Sequence, residues 1–480
     1  MGYHPGLEDD AFYLAAIKRN LNPALFPHDA DFFRLQFQAT IFDKLIAWSV
    51  RLPHLPVAWA ALLWQFAAIF FLLHGCWRIA RRCFSQASAH WGAVATVAVL
   101  LTLPVSGTAI NLADQYLHPR TLATAIILAA IVAVIDRRLG LAGLLLAIAF
   151  SIHAIMAAFG ISFCFFLFFA LRGEAARRRA STAVGAALLL PLGWIFEPTS
   201  EAWRQAAATR SFYHLASWAW YEWLGVFAPL VLIYAFLHLW KSRPEPVNGE
   251  TAMRPLLTAL VYYGAFQTLA GLAIMLPSSL ERLRPFEPMR YLHLLYLLFF
   301  LIAGGLLGQY VLDRKLYRWL LLFFPLSAAM FYVQCQMFPA TEHIEWPGAA
   351  SQNSWLQAFT WIRQNTPVDS LFALDPHYVE LPGEDYHGFR ALAERSVLAD
   401  YDKDAGMAAR VPQLAPRWLK EVTAQTGWKD FRAADFQRLK SEFGVDWVIL
   451  SRPQDRAIEN AALGLTCPYA HQQLRVCRLY

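Results

Sequence analysis

Charged residues are scarce in this 480-residue chain. Asp, Glu, Lys and Arg make up 16% of it, whereas a soluble domain carries about 25%. Six cysteines are too few for a disulfide-rich secreted module of this length. Hydrophobic residues reach 57% instead, and the chain holds 18 Trp. The composition therefore excludes a soluble enzyme and a disordered protein, and it predicts an integral membrane protein with many spans.

The balance of charge is only slightly basic, at +6. Membrane proteins keep an excess of Lys and Arg in their cytoplasmic loops, and a small positive total is what that asymmetry leaves. We therefore predict membrane lipid as the partner of this chain, and no nucleic acid.

Long apolar stretches predict the spans, because a hydrocarbon core about 30 Å thick requires roughly 20 apolar residues in a helix. The stretch 139–171 is too long for one span and short for two. Arginines flank both of its ends, and positive clusters lie on the cytoplasmic side, so the chain should cross twice in a helical hairpin that turns near 151–157. This gives about ten spans. The other eight are predicted at 56–77, 91–110, 120–136, 181–198, 223–240, 256–276, 289–308 and 316–335.

This orientation puts residues 1–55 and 342–480 outside the cytoplasm, on either side of a transmembrane bundle at 56–335. The chain opens at MGYHPGLEDD without an apolar helix, so we expect a further span upstream of Met1. Cys467 and Cys477 both fall in the exported tail, where their spacing suits a disulfide-bridged hairpin in an oxidising compartment. Two unpaired buried thiols are the alternative.

The tail has the pattern of a small α/β domain. Apolar residues at helical spacing predict a helix over 354–365, and strand-like runs occur at 371–374, 396–399, 446–450 and 474–479. Polar helical stretches are predicted near 410–425 and 431–443. A Pro/Gly-rich loop is either solvated or a lid over a substrate. This loop carries Asp375, His377, Glu384, Asp385 and His387.

The most informative stretch is the acidic one before the first predicted span. Glu8, Asp9 and Asp10 are consecutive and repel one another, so a bound cation or a cationic group of a substrate would stabilise them. Such carboxylates can serve as a general base, or hold Mg²⁺ or Mn²⁺ against a phosphate, with Asp29 and Asp31 as further candidate ligands. The alternative is a solvated acidic loop, with Asp31 capping a helix over 32–50. That helix would lie in the membrane interface or pack on the tail.

Cationic residues recur at the predicted outer ends of spans. Arg120 follows His118 in LHPRT, Arg290 precedes His293 in PMRYLHLLY, and His153 lies at the turn of the short hairpin. Arginine forks suit phosphate oxygens, so the set predicts an outward-facing phosphate site. Each arginine could instead snorkel to lipid headgroups, and His153 could satisfy broken backbone groups. The aromatic segment 203–223 is either an interfacial anchor or a platform for a sugar.

In this layout the chain resembles the C-type (GT-C-like) integral membrane glycosyltransferases: an acidic external loop, short broken helices among many spans, and a C-terminal α/β domain outside. It is also similar to a bacterial group of multispanning proteins without assigned activity. The segments that carry this likeness are YHPGLEDDAFY, NPALFPHDADFF, WIRQNTP, FR and ERSVLADY.

The resemblance implies a mainly α, polytopic helix bundle in the bacterial inner membrane, with its acidic loop and α/β domain in the periplasm. It also implies transfer of a sugar from a polyprenyl-phosphate donor to an acceptor. Asp9 or Asp10 would be the catalytic carboxylate with Glu8 beside it, and Arg120 and Arg290 would bind the lipid phosphate. The alternative function is a non-catalytic membrane protein that binds or transports an amphiphile or a lipid-linked glycan.

Overall fold

The structure, a computed structural model, is mainly helical. It describes residues 1–33, 38–172, 198–241, 252–381, 384–451 and 465–480. Six helices in these ranges are long and apolar enough to cross a membrane, and three shorter apolar helices accompany them. The chain therefore has the character of an integral membrane protein. The predicted span 181–198 lies outside the described residues, apart from its last position.

Seventeen α-helices occur in the described ranges. Those of the first half are α1 Asp10–Leu21, α2 Phe42–Arg51, α3 Val57–Cys83, α4 Ala87–Val99, α5 Pro119–Ile135, α6 Leu139–Ile152, α7 Ala154–Arg172, α8 Glu201–Ala208 and α9 Trp220–Lys241. Those of the second half are α10 Met253–Met275, α11 Tyr291–Leu307, α12 Leu316–Met337, α13 Ser354–Asn365, α14 Phe389–Ala393, α15 Lys403–Arg410, α16 Ala415–Gln425 and α17 Ala433–Phe443. Short 3₁₀ helices at Ala30–Phe33, Ser278–Phe286 and Pro288–Arg290 matter for the site described below.

Two predicted helices are shorter than their apolar runs. The predicted span 91–110 is helical only as α4, to Val99, because a two-stranded hairpin follows it (β1 Pro104–Val105 and β2 Ile110–Asn111). Gly107 supplies the left-handed backbone of that turn, with φ +64°. The predicted helix 32–50 is wrong as a continuous element. Its regular part begins at Phe42, where the Thr40 hydroxyl accepts a hydrogen bond from the Phe42 amide.

The apolar stretch 139–171 is divided into α6 and α7, which meet at His153 within the predicted turn. His153 has an extended backbone, and its ring Nδ1 accepts a 3.3 Å hydrogen bond from the Met156 amide at the start of α7. The side chain thus satisfies one of the amides that a helix start leaves unpaired.

The tail is built on a five-stranded sheet with the order β4-β3-β5-β7-β6. The strand β3 is parallel to both of its neighbours, and the C-terminal hairpin is antiparallel. A disulfide between Cys467 and Cys477, the pair predicted from the sequence, joins the two strands of this hairpin. The sequence pattern missed β6, whose residues alternate in burial around a proline. The strands of the sheet are β3 Leu371–Ala373, β4 Ser396–Val397, β5 Trp447–Ser451, β6 Leu465–His471 and β7 Leu474–Leu479.

The N-terminal helix α1 lies between the bundle and the tail. Ile17 joins the hydrophobic core of the bundle, whereas Phe12 packs in a second core with Trp203 of α8 and Met407 and Trp418 of the tail. The Trp203 indole also donates a 2.9 Å hydrogen bond to the carbonyl of Ala409. Trp203 is therefore part of this second core.

An ion cluster reinforces the same contact. The Arg390 guanidinium pairs with Asp29 of the N-terminal segment and, at 2.9 Å, with Asp404 at the start of α15. All three side chains are at most 6% exposed. We call Asp29, Arg390 and Asp404 the arginine junction, since it ties the first 33 residues to the tail.

Candidate functional site

A cavity of about 910 Å³ opens where the N-terminal segment, the bundle and the tail meet. Its walls are rich in charge of both signs, which is unusual next to membrane helices. We call it the charged cavity. Its acidic residues are Glu8, Asp9, Asp114, Glu222, Glu287 and Asp402. Its basic residues are Arg120, Arg210, Arg290, Lys403 and Arg410.

Local backbone geometry brings the acidic pair Glu8 and Asp9 to the cavity. Glu8 has a left-handed backbone with φ 52°, which is uncommon for a residue with a side chain and turns the chain into α1. Asp9 occupies the N-cap position of α1, yet its side chain accepts no capping hydrogen bond. The carboxylate is thus not used to stabilise the helix and stays available to the cavity.

Most of the charged groups in the wall are paired. Asp114 pairs with Arg120 at 2.5 Å, Asp402 pairs with Arg210 at 2.9 Å, and Glu8 contacts Lys403. Two of these pairs join elements that are far apart in sequence, because Glu8 pairs with Lys403 of the tail and Asp402 of the tail pairs with Arg210 after α8. They also offset the cost of burying the individual charges.

Glu287 links the bundle to the tail. One of its oxygens pairs with Arg290 Nη1 at 2.5 Å, and the other accepts a 2.8 Å hydrogen bond from Arg410 Nη2 at the end of α15. Glu287 is 4% exposed and has a left-handed backbone with φ 53°. Such strain persists where the surroundings fix the conformation, and it often marks functional sites.

Asp9 differs from the other carboxylates of the cavity. Its side chain is 37% exposed, and the nearest basic atom is Nε2 of His118, 3.7 Å away. Four of the other acids pair with Lys or Arg, and Glu222 accepts a 2.7 Å hydrogen bond from the Ala219 amide. Among the described residues, Asp9 and Glu222 are therefore the cavity carboxylates without a close Lys or Arg partner, and of these two Glu222 is held by the Ala219 amide.

The surrounding charges keep Asp9 ionised. Burial by itself would raise the pKa of its carboxyl, but the neighbouring His118 ring and the positive charges of Lys403 and Arg410 hold that pKa well below its usual range. Asp10 behaves in the opposite way, because burial raises its pKa to about 7 although the Gly6 amide donates to it at 2.7 Å.

Three arginines of the cavity wall keep a nitrogen without a hydrogen-bond acceptor. These atoms are Nη1 of Arg120, Nε of Arg290 and Nε of Arg410, each of them buried. A buried donor without a partner costs about 1–3 kcal/mol, so a group of them around one cavity indicates a ligand that supplies acceptor oxygens. Phosphate oxygens and sugar hydroxyls both have that chemistry.

A smaller cavity of about 130 Å³ adjoins the charged one. Both are lined by Asp9, Arg290 and Arg410, and the smaller one extends to His118 and His153. The rings of the two histidines lie 6.1 Å apart. The structure thus brings the acidic start of α1, the N-cap of α5 and the break between α6 and α7 to one place.

Two of the predicted catalytic and substrate-binding residues are not in either cavity. Asp10 points away from the solvent at 3% exposure and holds the Gly6 amide. His293 is fully buried, and its Nε2 hydrogen-bonds to the carbonyl of Leu112 at 2.9 Å, which fixes the segment after β2 against α11. These contacts are structural. The alternative of a solvated acidic loop does not hold for Asp10, because helix α1 begins at this residue and buries it inside the protein.

The arrangement does not fit the predicted metal ion. Asp29 is engaged by Arg390, and Asp31 lies near Arg417 at 3.7 Å on the surface. In the ranges that the structure describes, no group of three or more His, Cys, Asp and Glu side chains could hold a metal. We therefore assign no step of the chemistry to Mg²⁺ or Mn²⁺.

The acidic loop of the tail is also more buried than its composition indicates. Asp385 and His387 are 2% and 5% exposed. Asp385 accepts a hydrogen bond from the Thr341 hydroxyl, and His387 Nε2 lies 3.1 Å from Glu345. Glu345 in turn contacts His4 at 2.8 Å. These residues attach the N-terminus to the tail and do not line the charged cavity.

Sequence analysis missed Arg410, Lys403, Glu287 and Asp114. The sequence carries a signal for the first two, because α15 begins and ends with charge around a small-residue core (KDAGMAAR). Glu287 and Asp114 lie in loops between apolar spans, where a carboxylate is ordinarily solvated. Only the packing of the tail on the bundle shows that these side chains face one cavity.

The comparisons with known proteins are sparse. Residues 353–420 match a family model described as a domain of unknown function (DUF6798). No curated protein matches the chain. The matched part runs from α13 into α16, and it includes Arg390, Lys403 and Arg410. It covers well under half of the chain and carries no assigned activity.

Proposed function

We propose that the chain is a membrane glycosyltransferase that moves a sugar from a polyprenyl-phosphate donor to the hydroxyl of an acceptor. The observation that carries this proposal is Asp9, an ionised and accessible carboxylate without a Lys or Arg partner. It lies in one cavity with arginines whose buried nitrogens lack acceptors. A base and a set of phosphate ligands are the two parts that such a transfer requires.

The proposed reaction uses the negative charge of Asp9 on the acceptor and the positive charges of the arginines on the departing phosphate. The acceptor hydroxyl gives its proton to an oxygen of Asp9 as its own oxygen forms a bond with the anomeric carbon of the sugar. The bond between that carbon and the phosphate oxygen breaks, and its electron pair stays on the phosphate. Arg120, Arg290 and Arg410 would stabilise that negative charge through the donors that are now unpartnered.

We also propose that the reaction takes place on the outer face of a bacterial inner membrane. The predicted loop charges support this orientation, since Lys and Arg concentrate at the ends of the helices opposite the charged cavity. The disulfide in the tail supports it independently, because disulfides persist in oxidising compartments.

The test compares two adjacent carboxylates in the cell. A deletion strain is complemented with the wild type, Asp9→Asn or Asp10→Asn, and its glycans and lipid-linked sugars are profiled by mass spectrometry. Asp9→Asn should reproduce the deletion profile and accumulate the lipid-linked donor, whereas Asp10→Asn should restore the wild-type profile. An Asp9→Asn strain with normal glycans and a normal protein level would overturn the proposal.

One observation favours a second candidate, a protein that binds or moves an amphiphile without chemistry. The helix break at His153 lines the smaller cavity, and transporters place substrates at such discontinuous helices. Proteoliposome counter-flow of a lipid-linked glycan that survives Asp9→Asn would establish this alternative. The clustering of the charged groups at one end of the bundle supports the enzyme.

A further inference from the structure

A second charged pocket lies at the opposite end of the bundle from the charged cavity. Helix α5 connects the two, because Arg120 lies in its first turn and Asp136 follows its last residue. Its 17 residues span about 25 Å. The pocket has a volume of about 500 Å³, and we call it the basic pocket. It is lined by His74, Trp77, Arg78, Arg81, Arg82 and Asp136.

The basic pocket keeps positive charge that its own acid does not neutralise. Asp136 is occupied by Arg82, whose Nε and Nη2 approach its two oxygens at 2.6 and 2.5 Å. Among the lining residues that the structure describes, Arg78 and Arg81 then remain as an excess of two positive charges. The Arg81 guanidinium lies 4.9 Å from the centre of the Trp77 ring, which holds it over the pocket.

An aromatic stripe runs from the basic pocket along α3 toward the middle of the helix. Phe66, Phe70, His74, Trp77 and Arg81 follow one another at intervals of three or four residues, so they share one face. Phe66 and Phe70 are 56% and 63% exposed, and the rings of Phe70 and His74 are stacked. One face of a membrane helix therefore presents apolar rings in its middle and two cations at its end.

We propose that the basic pocket binds the headgroup of an anionic phospholipid, with an acyl chain along Phe66 and Phe70. A phosphodiester presents two anionic oxygens to an arginine fork, and basic pockets between transmembrane helices recognise anionic headgroups. The excess of two charges favours an anionic lipid over a zwitterionic one. The stripe favours a lipid over a free anion. This site is separate from the proposed transfer reaction and does not depend on it.

The test measures lipid retention by the full-length protein in detergent with native mass spectrometry. Phosphatidylglycerol and phosphatidylcholine with the same acyl chains are the probes. The wild type should retain phosphatidylglycerol in preference. The double variant Arg78→Gln with Arg81→Gln should bind it about thirtyfold more weakly, since each basic residue near the headgroups contributes about fivefold.

The matched control removes two positive charges elsewhere. Arg314→Gln with Lys315→Gln changes two exposed residues of another predicted cytoplasmic loop that do not line the basic pocket. This variant should keep its affinity within about twofold. An equal loss in both double variants would show attraction by overall charge and would overturn the proposal, and so would a wild type that does not prefer phosphatidylglycerol.

Two further measurements keep the result unambiguous. If the double variant does not fold, Arg81→Gln alone changes a single exposed side chain and should weaken binding about fivefold.

Inorganic phosphate is the competitor that separates a lipid from a free anion. It should not displace phosphatidylglycerol, because it gains nothing from the aromatic stripe. Competition as effective as that of a short-chain phosphatidylglycerol would assign the pocket to free phosphate and overturn the lipid assignment.

Discussion

The arginine junction and the charged cavity both bury arginines among carboxylates, yet they differ in how completely those arginines are used. At the junction, every guanidinium nitrogen of Arg390 donates to Asp29, Asp404 or the Val397 carbonyl. In the cavity, Arg120, Arg290 and Arg410 each keep one buried nitrogen without an acceptor. A saturated arginine stabilises the fold, whereas an unsaturated one keeps a donor that the proposed phosphate would use.

Asp9 and Asp10 differ in a similar way, although they are neighbours in sequence: Asp10 is engaged by the fold, whereas Asp9 faces the cavity. Asp10 is buried and holds a backbone amide, and its raised pKa shows that the fold tolerates its charge poorly. Asp9 is accessible, and its pKa is lowered by the His118 ring at the start of α5 and by Lys403 and Arg410 at the two ends of α15. Perturbed carboxyl groups in a cavity are candidates for catalysis, and here access decides between the two, because Asp9 lines the charged cavity and Asp10 is buried behind it.

The largest effect is expected from breaking the junction. Arg390→Gln leaves Asp29 and Asp404 buried without a counter-charge, which costs about 3–5 kcal/mol. The purified variant should unfold at a clearly lower temperature and lose every activity together. Arg432→Gln, a tail arginine outside the junction, is the control and should unfold like the wild type. Wild-type stability of Arg390→Gln would show that the saturated cluster is not structural.

Asp9→Asn should have nearly as large an effect, but on activity alone. Loss of a general base lowers the rate by about 10²- to 10⁴-fold. The melting temperature should stay close to that of the wild type, because Asp9 is accessible and caps no helix. The two readouts are sugar transfer in isolated membranes and thermal unfolding in detergent. If the variant also loses stability, Asp9 stabilises the fold, as Asp10 and the arginine junction do, and its role is structural.

Arg410→Gln tests whether the tail contributes to the site. Its guanidinium contacts Glu287 of the bundle, and the residue lines the charged cavity. Its removal should weaken sugar transfer about 10- to 100-fold, because one of the groups that would stabilise the departing phosphate is lost. Arg417→Gln removes another tail arginine that does not line the cavity and should leave transfer unchanged. Equal rates for both variants would show that the tail is only a docking domain.

The smallest effect concerns the pH dependence of stability. The pKa of Asp10 rises from an ordinary 3.8 to about 7 on folding, so the unfolded chain releases this proton more readily. Stability is then highest at low pH and falls as the pH rises toward 7, by about 1 kcal/mol between pH 6 and pH 7. Asp10→Asn should remove this loss, which urea titrations at the two pH values would measure. An unchanged pH slope would contradict the buried, protonated state.

Sequence reasoning predicted the parts of the fold that depend on local pattern. The helix at 354–365 and the strand at 474–479 occur with the predicted limits, and the break between α6 and α7 lies within the predicted turn. It overextended the span 91–110, because the run 100–110 is as apolar as a helix but turns at Gly107. It missed β6, where Pro468 and the bulge near Thr466 obscure the strand pattern.

For the site, sequence reasoning selected some residues that line the charged cavity and others that do not. Glu8, Asp9, Arg120 and Arg290 line the charged cavity, whereas His293 lies behind its wall. Residue type and predicted sidedness cannot separate these cases. Both Arg290 and His293 begin the same predicted span. Arg290 ends a 3₁₀ helix before α11 and lines the cavity, whereas His293 lies inside α11 and contacts the Leu112 carbonyl.

Composition and periodicity alone establish an integral membrane protein with many apolar helices and a less apolar α/β tail, because these patterns report directly on burial in lipid or water. The tertiary structure decided the site. Asp9 from the N-terminus, Arg120 and Arg290 from the bundle and Arg410 from the tail are hundreds of residues apart, and no local pattern encodes their meeting. Which of their charges are satisfied is a property of long-range packing alone.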